Sequence, residues 1–444
     1  MNTIRLVNAR IVNEGRITTG ELLIRGDRIA GINVPAPDSA KVIDLQGAWL
    51  MPGMIDGQVH FREPGFEHKG DLATESSAAV AGGITSFMEM PNTSPQTINN
   101  AALADKLARA ERSAFGNYAF YLGATNENLE DIKSHDPDLA CGVKVFMGAS
   151  TGNMLVDDPA ILEAIFANTP HLVATHCEDT PTIIRNEKKA REQFGDNVPC
   201  SQHPVIRSEE ACWLSSSLAL SLAKKHGTRL HVLHLTTAKE MAHFTAGPID
   251  NKQITAEVCA HHLFFSAEDY ETRGTDIKCN PAIKTAADRA ALRAAVNADL
   301  IDVIATDHAP HTIEEKARGY LSAPSGLPLV QHALLSLMER VEDGTFSIER
   351  VVHKTAHAPA IRYGVKDRGY LREGYFADLV VIGRPKYGHP GVLSKCGWSP
   401  FAGINFSHEI HHTFVNGTHV FREGQLTGAR DVRRLEWNRP WLSR

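Results

Sequence analysis

Three histidines and one aspartate have the residue types of a metal site. His60, His176 and His234 each end an apolar run of the sequence, and Asp307 ends another. Neutral imidazoles and carboxylates bind borderline divalent cations such as zinc. One histidine in such a place is most simply a hydrogen-bonded structural residue. Four such residues predict a metal centre, provided that the fold brings the ends of the runs together.

Gln58 stands where a second histidine would be expected in such a site. It precedes His60 by two residues in "MPGMIDGQVHFREPG", residues 51–65, and residues two apart share one face of a strand. Its amide oxygen is a candidate metal ligand, although a weaker donor than imidazole, and its amide is also suited to hold a water molecule. Either role predicts weaker metal binding at His60.

Lys144 lies inside the apolar run "GVKVFMG". A buried ammonium is costly, so this lysine must be neutralised, ion-paired or chemically modified. One interpretation is a snorkelling or ion-paired residue. The other is a neutral amine that reacts with carbon dioxide to give a carbamate, whose two oxygens bridge two metal ions. The sequence leaves both interpretations open.

The stretch "ATDHAPHTIEEK", residues 305–316, places two histidines close behind Asp307. One carboxylate oxygen of Asp307 is able to bind a metal while the other takes up and returns a proton. The alternative is a helix N-cap before Ala309-Pro310. His311 lies further along the loop, so we expect it to face a substrate.

Arg62 predicts a site for an anion. It follows His60 by two positions and therefore points to the same side of an extended strand. With Asn92 and His311 it is suited to bind a substrate carboxylate, because a planar guanidinium matches that group. The alternative is a structural ion pair with a nearby acid such as Glu63.

The remaining histidine pair and the cysteines predict no further site. His261 and His262, in "CAHHLFF", would point in opposite directions on a strand, so we expect structural roles for them. The seven cysteines contain no CxxC pair and predict no disulfide framework. Cys177, Cys259 and Cys279 lie beside polar residues. We nevertheless favour the interpretation that each is a small side chain packed in the buried core.

The elements that must position these residues read as eight strands that alternate with helices. The strand runs are "GMIDGQVH", "GITSFMEM", "NYAFYLGAT", "CGVKVFMG", "HLVATH", "RLHVLHL", "QITAEVC" and "IDVIATD". Helix candidates between them include "DLATESSAAVAGG" and "SEEACWLSSSLALSLAKKHG". This pattern predicts an α/β fold with a (β/α)8 TIM-type barrel, in which chemistry occurs at the carboxyl ends of the strands.

Both chain ends read as short strands. Residues 1–50 contain "IRLVNARIV" and "GELLIRGDRIAGI", and "HHTFVNGTHVFREGQ" near the other end carries the hairpin signal Asn416-Gly417. We therefore predict that 1–50 and 366–444 form one small β-sandwich domain, and that 51–365 form the barrel.

Composition favours a small-molecule partner. The chain has 444 residues and a formal net charge of −6, which argues against nucleic acid. The sequence contains no apolar stretch as long as a membrane span, and its N-terminus lacks the apolar centre of a signal peptide. We expect a cytoplasmic protein with no membrane partner.

Eight motifs, in this order, resemble those of the dihydroorotases of the amidohydrolase superfamily. They are "DGQVHFREPG", "AGGITSFMEMPNTSP", "GVKVFMG", "THCED", "HVLHLTT", "CNPAIK", "ATDHAPHT" and "SGLPLVQHALL". The resemblance covers essentially the whole chain, including "GYFADLVVI", "SPFAG" and "TFVNG" near its end. It implies a metal-dependent barrel joined to a small β domain.

The resemblance implies reversible, zinc-dependent hydrolysis of the cyclic amide of dihydroorotate to N-carbamoyl-aspartate, in pyrimidine biosynthesis. Hydantoinases and allantoinases of the superfamily share the metal site, and "FREP" is shared with allantoinases, whereas "MPNT" and "DHAPHT" resemble dihydroorotases. Another cyclic amidase is therefore one alternative. A non-catalytic subunit that scaffolds an aspartate transcarbamoylase is the other. The resemblance also implies a homodimer or larger assembly.

The resemblance also implies a role for each site residue. His60 and Asp307 would bind one metal, His176 and His234 the other, and carboxylated Lys144 would bridge them, with Asp307 as the proton shuttle. Arg62, Asn92 and His311 would bind the substrate carboxylate, and Asn280, Ser325 and Gly326 the polar edge of the ring. The family has histidine in place of Gln58, so the number of zinc ions, one or two, depends on this position.

Overall fold

The computed structural model describes residues 3–148 and 154–443, and its strands form two sheets. The strands are β1 (Thr3–Asn13), β2 (Arg16–Arg25), β3 (Arg28–Ile32), β4 (Lys41–Asp44), β5 (Trp49–Pro52), β6 (Met54–Val59), β7 (Ile84–Glu89), β8 (Asn117–Gly123), β9 (Ala140–Phe146), β10 (Val173–His176), β11 (Leu230–Val232), β12 (Ile254–Cys259), β13 (Val303–Ala305), β14 (Leu379–Gly383), β15 (Glu409–Val415), β16 (Thr418–Arg422) and β17 (Gln425–Leu426).

Strands β6 to β13 form the barrel. They pair in parallel and in sequence order, each with the next. The barrel closes where His60 N, just after β6, donates to the carbonyl oxygen of His308, just after β13, at 2.7 Å. Nearly every strand residue is buried because helices cover the outer face, which explains the continuous apolar runs in the sequence. Seven of the eight predicted runs contain one of these strands, and β9 begins one residue before the remaining run, so the predicted fold class is confirmed.

The helices lie mostly between the barrel strands. They are α1 (Leu72–Ala81), α2 (Asn100–Ser113), α3 (Leu129–Ser134), α4 (Pro159–Asn168), α5 (Thr180–Phe194), α6 (His203–Ile206), α7 (Glu209–His226), α8 (Ala260–Phe264), α9 (Tyr270–Arg273), α10 (Ala286–Asn297), α11 (Ile313–Lys316), α12 (Ala333–Glu342), α13 (Ile348–Val352) and α14 (Ala358–Tyr363). The longest, α7, begins after the N-cap Ser208 and ends at Gly227, whose φ of +71° suits glycine. Across the described residues, no helix combines the length and apolar character that a membrane crossing requires.

The remaining nine strands form a mixed sheet from both chain ends. β5 pairs with β1 from the N-terminal part and with β14 from the C-terminal part, and so joins the two. Asn416 and Gly417 form the turn between β15 and β16, with φ of +48° and +72°, as the hairpin signal predicted. An apolar core that includes Leu6, Leu50 and Phe414 fills this part of the molecule. The bounds 1–50 and 366–444 remain our proposal for this domain.

Candidate functional site

The carboxyl ends of the barrel strands surround a small cavity that contains the whole predicted metal set. Its lining comprises Gln58, His60, Lys144, Phe146, His176, His234, Asn280, Asp307, Ala309, Ser325 and Gly326. These residues come from strands far apart in sequence, and the barrel brings them to one rim. Burial lowers the pKa of His60, His176 and His234, so these imidazoles are neutral, as metal ligands must be.

His176 and His234 form the better-defined half of the cluster. His176 Nε2 donates to Glu178 Oε2 at 2.9 Å, so its Nδ1 carries the lone pair. That Nδ1 lies 3.0 Å from His234 Nε2. Two nitrogens bound tetrahedrally to one zinc ion lie roughly 3.3 Å apart, since each bond is about 2.0–2.1 Å long. The two rings therefore fit one zinc ion with little rearrangement.

His60 and Asp307 form the other half. His60 Nδ1 donates to Asn92 Oδ1 at 2.8 Å, which leaves Nε2 with the lone pair, 3.2 Å from Asp307 Oδ1. Gln58 Nε2 donates to the same Oδ1 at 3.0 Å. The amide oxygen of Gln58 instead faces Cys259, whose Sγ lies 3.9 Å away. In this geometry Gln58 offers a donor, not a metal ligand, to the His60 half.

Lys144 is enclosed between the two halves. Its side chain is buried, and within the described residues its Nζ has no carboxylate within 4.0 Å. The Nζ of Lys144 lies over the ring of Phe146, 4.6 Å from its centroid. Burial lowers the pKa of Lys144 to about 8, against the opposing effect of Asp307. The described residues thus give Lys144 no ion pair, and its lowered pKa makes a neutral amine accessible near neutral pH.

Arg62 and His311 lie together at the mouth of the cluster. Arg62 Nε donates to the carbonyl oxygen of Pro310 at 3.0 Å, and burial lowers the pKa of Arg62 to about 10. His311 Nδ1 lies 3.0 Å from Lys69 Nζ, and His311 Nε2 lies 3.0 Å from Arg62 Nη2 and 3.1 Å from the carbonyl oxygen of Ser325. Burial and the neighbouring cations hold the pKa of His311 well below its usual range. The expected pair with Glu63 does not form, because Glu63 pairs with Arg109.

A second, larger cavity adjoins the cluster. It has a volume of about 920 Å³, and Arg62, Lys69, Asn92 and His311 contribute to its lining. Asn92 connects the two cavities through its bond to His60. A substrate that reaches the small cavity would therefore meet these four nitrogen-bearing side chains on one side.

The residues predicted to hold the ring edge are also present in the small cavity, but not all of them are available. Asn280 Oδ1 is buried without a hydrogen-bond partner and is thus able to accept one. The amide of Gly326 donates to the carbonyl oxygen of Lys278, and its own carbonyl accepts from Lys316 Nζ. The N–H and the carbonyl of Gly326 therefore both form hydrogen bonds that hold its loop. A side chain there would also collide with the carbonyl oxygen of Ala309, 2.5 Å from a Cβ atom.

Two expectations for neighbouring residues are wrong. Asp307 does not cap a helix, because the next helix, α11, begins later and is capped by Thr312. His261 and His262 do not lie on a strand. β12 ends at Cys259 and the chain turns directly into α8, which allows the two rings to approach to 3.9 Å between centroids.

Sequence reasoning missed three residues that support the site. Glu178 holds His176, and its position two residues later in "THCED" was a usable signal. Arg207 pairs with Glu178 and, with His176, holds the pKa of that carboxyl at about 2 against the opposing effect of burial. Lys69 lies in a loop whose path no local pattern predicts.

Comparisons with known proteins agree with this geometry. The model of the amidohydrolase family matches residues 49–420. A dihydroorotase from Halobacterium salinarum is 32% identical over 438 residues, which are 97% of this chain and 99% of that protein. An allantoinase from Solibacter usitatus is 29% identical, over 94% of this chain and 93% of that protein. The solved structure of an L-hydantoinase (dihydropyrimidinase) from Arthrobacter aurescens superposes with a TM-score of 0.91 at 25% identity, over 98% of this chain and 100% of that one.

Proposed function

The chain belongs to the amidohydrolase family and is a cyclic amide hydrolase, and from this premise we propose that it is a zinc-dependent dihydroorotase. It would open the ring of dihydroorotate reversibly to N-carbamoyl-aspartate, as a cytoplasmic enzyme of pyrimidine biosynthesis. Several relatives named dihydroorotase at about 30% identity support this choice of substrate.

The observation that carries the proposal is the environment of Arg62. Its side chain is buried beside the small cavity, yet within residues 3–148 and 154–443 no carboxylate lies within 4.0 Å of its guanidinium nitrogens. A buried cation is costly unless it is paired. A substrate carboxylate would supply the partner through a charge-assisted bond. Dihydroorotate carries such a carboxylate on its ring, whereas allantoin and hydantoin do not.

The metal-binding roles are part of the proposal. His176 and His234 would hold one zinc ion, and His60 and Asp307 would hold a second, weaker one, with Gln58 beside it. When bound, zinc supplies Lewis-acid polarisation of the amide carbonyl and lowers the pKa of water. Lys144 would carry a carbamate between the two halves. Its buried position and its pKa of about 8 support this, because only the neutral amine combines with carbon dioxide.

The other residues would orient the ring and move the proton. Arg62 would fix the substrate carboxylate, with Asn92 and His311 beside it. Asn280 Oδ1, which lacks a partner, would accept from a ring N–H. Asp307 would take a proton during attack on the carbonyl and return it to the departing amide nitrogen, which leaves poorly without one. Its place at the rim, next to His60, puts it within reach of both steps.

The decisive experiment compares two substrates that differ only in the carboxylate. Dihydroorotate and 5,6-dihydrouracil share the same cyclic amide, so the ratio of their kcat/KM values isolates recognition of the anion. We expect the wild-type enzyme to prefer dihydroorotate and Arg62→Gln to lose roughly 10- to 100-fold on it, since bonds to charged groups contribute about 1.5–3 kcal/mol. The variant should change little on dihydrouracil.

Arg109→Gln is the matched control, because Arg109 itself lines neither cavity and pairs with Asp105 and Glu63. It should leave the substrate ratio unchanged. Turnover of allantoin or hydantoin without turnover of dihydroorotate would contradict the proposal and favour the other cyclic amidases. A fully metal-loaded protein that hydrolyses none of these substrates would favour the scaffold subunit.

A further inference from the structure

A second group of metal-type ligands lies behind the candidate active site. Cys259 ends β12, and His261 and His262 lie on α8 immediately after it. One ligand atom from each residue lies within 4.8 Å of the others. None of the three belongs to the set proposed to bind the catalytic metals. The sharp turn from strand to helix brings them together, which the sequence spacing alone did not suggest.

The polar atoms of this cluster are buried and poorly satisfied. The exposed fractions are 0% for Cys259 and His261 and 3% for His262. Within the described residues, neither ring nitrogen of His261 forms a hydrogen bond of good geometry, although the Thr306 backbone lies close to the ring, and His262 Nδ1 has no partner. A buried polar group without a partner costs about 1–3 kcal/mol, so several in one place call for an explanation. A cation bound through one nitrogen of each ring would satisfy two of these three nitrogens.

The chemistry of these donors selects the cation. His261 and His262 offer imidazole nitrogens, and Cys259 offers a thiol sulfur that gives up its proton when a metal binds. A second thiol, that of Cys279, lies 3.8 Å from His262 Nε2. Thiolate with imidazole is the donor set of structural zinc sites.

We propose that Cys259, His261 and His262 bind a structural zinc ion, separate from the catalytic metals. Binding replaces the thiol proton of Cys259 by a zinc–sulfur bond and releases that proton to solvent, while the two neutral imidazoles bind through their lone pairs. The ion fixes the corner between β12 and α8. Because Cys259 Sγ faces the amide oxygen of Gln58, this corner supports one wall of the active site.

Cobalt substitution tests the proposal without any measurement of activity. The residues proposed for the catalytic metals include no sulfur, so a thiolate-to-cobalt charge-transfer band in the near ultraviolet reports this cluster alone. We expect the cobalt-loaded wild-type protein to show the band and Cys259→Ser to lose it. Cys141→Ser is the matched control, because Cys141 is an equally buried cysteine of the barrel strand β9, and it should keep the band.

X-ray absorption at the zinc edge of the wild-type protein needs no variant to fold. We expect a sulfur shell at about 2.3 Å besides the nitrogen and oxygen ligands. A spectrum without sulfur, or a cobalt protein without the band, would overturn the proposal. So would loss of the band in Cys177→Ser instead of Cys259→Ser, because Cys177 follows His176. None of these results bears on which cyclic amide is the substrate, so the two proposals fail separately.

Discussion

At the scale of single residues, Asp307 is held in place by competing neighbours. Gln58 Nε2 and His60 Nε2 both approach its Oδ1, at 3.0 and 3.2 Å. Its φ of +52° is uncommon for a residue other than glycine, and such conformations persist where the surroundings impose them. A metal ion at His60 would have to share this oxygen with Gln58. We therefore expect the glutamine to weaken metal binding at the His60 half without abolishing it.

Replacing Gln58 with histidine should strengthen the weaker half. The competing N–H donor of Gln58 would be replaced by an imidazole nitrogen that binds the metal directly. We therefore expect the zinc affinity of the His60 half to rise roughly tenfold or more, since even residues that only support metal ligands change affinity by about that factor. The zinc content per purified chain, measured by mass spectrometry at limiting free zinc, should increase. Gln193→His, on the exposed face of α5, controls for adventitious binding. Unchanged zinc content in Gln58→His would mean that the glutamine does not limit binding.

At the scale of elements, Glu178 joins three segments at one carboxylate. It follows β10, pairs with His176 on that strand, and also pairs with Arg207, which lies between α6 and α7. The barrel rim is therefore connected to the helices that cover it. Removing one partner of such a buried pair leaves the other uncompensated, which is more damaging than loss of a surface pair.

Glu178→Gln should therefore destabilise the protein by about 3 kcal/mol at pH 7, because the buried carboxylate that bonds to both Arg207 and His176 would be lost. The folded pKa of Glu178, about 2, lies below the ordinary glutamate value. Its stabilisation is thus complete above that ordinary value and is lost as the pH falls toward 2. In urea unfolding of the metal-free proteins, the difference in free energy of unfolding between wild type and variant should become smaller as the pH falls through this interval.

Glu187→Gln provides the comparison, because Glu187 forms an exposed pair with Arg191 on α5. This substitution should lower the free energy of unfolding by less than about 1 kcal/mol at any pH. The structural role given to Glu178 would be contradicted if the two variants lost equal free energy of unfolding. It would also be contradicted if the difference between wild type and Glu178→Gln became larger as the pH falls.

At the scale of the whole molecule, the sequence predicted the barrel because parallel strands buried on both faces give continuous apolar runs. It also predicted which residues meet at the rim, since strand ends converge in a barrel. It did not predict contacts that depend on loop paths, such as that of Lys69 with His311. It placed His261 and His262 on opposite faces of a strand, because an apolar run does not mark the residue at which a strand turns into a short helix.

At this scale we propose that the predicted homodimer forms through exposed apolar side chains on the helices. Four large apolar side chains on neighbouring helices are 45–64% exposed: Ile184 on α5, Val205 on α6, and Leu214 and Leu218 on α7. Leu214 and Leu218 are four residues apart and so lie on one face of α7. Such clusters usually mark an interface.

We expect light scattering after gel filtration to give the mass of a dimer for the wild type and of a monomer for the double variant Leu214→Glu/Leu218→Glu. Val42→Glu, at an equally exposed position on β4, should stay dimeric. A monomeric wild type would contradict the homodimer and leave this surface to a different chain, such as the aspartate transcarbamoylase proposed as the second partner.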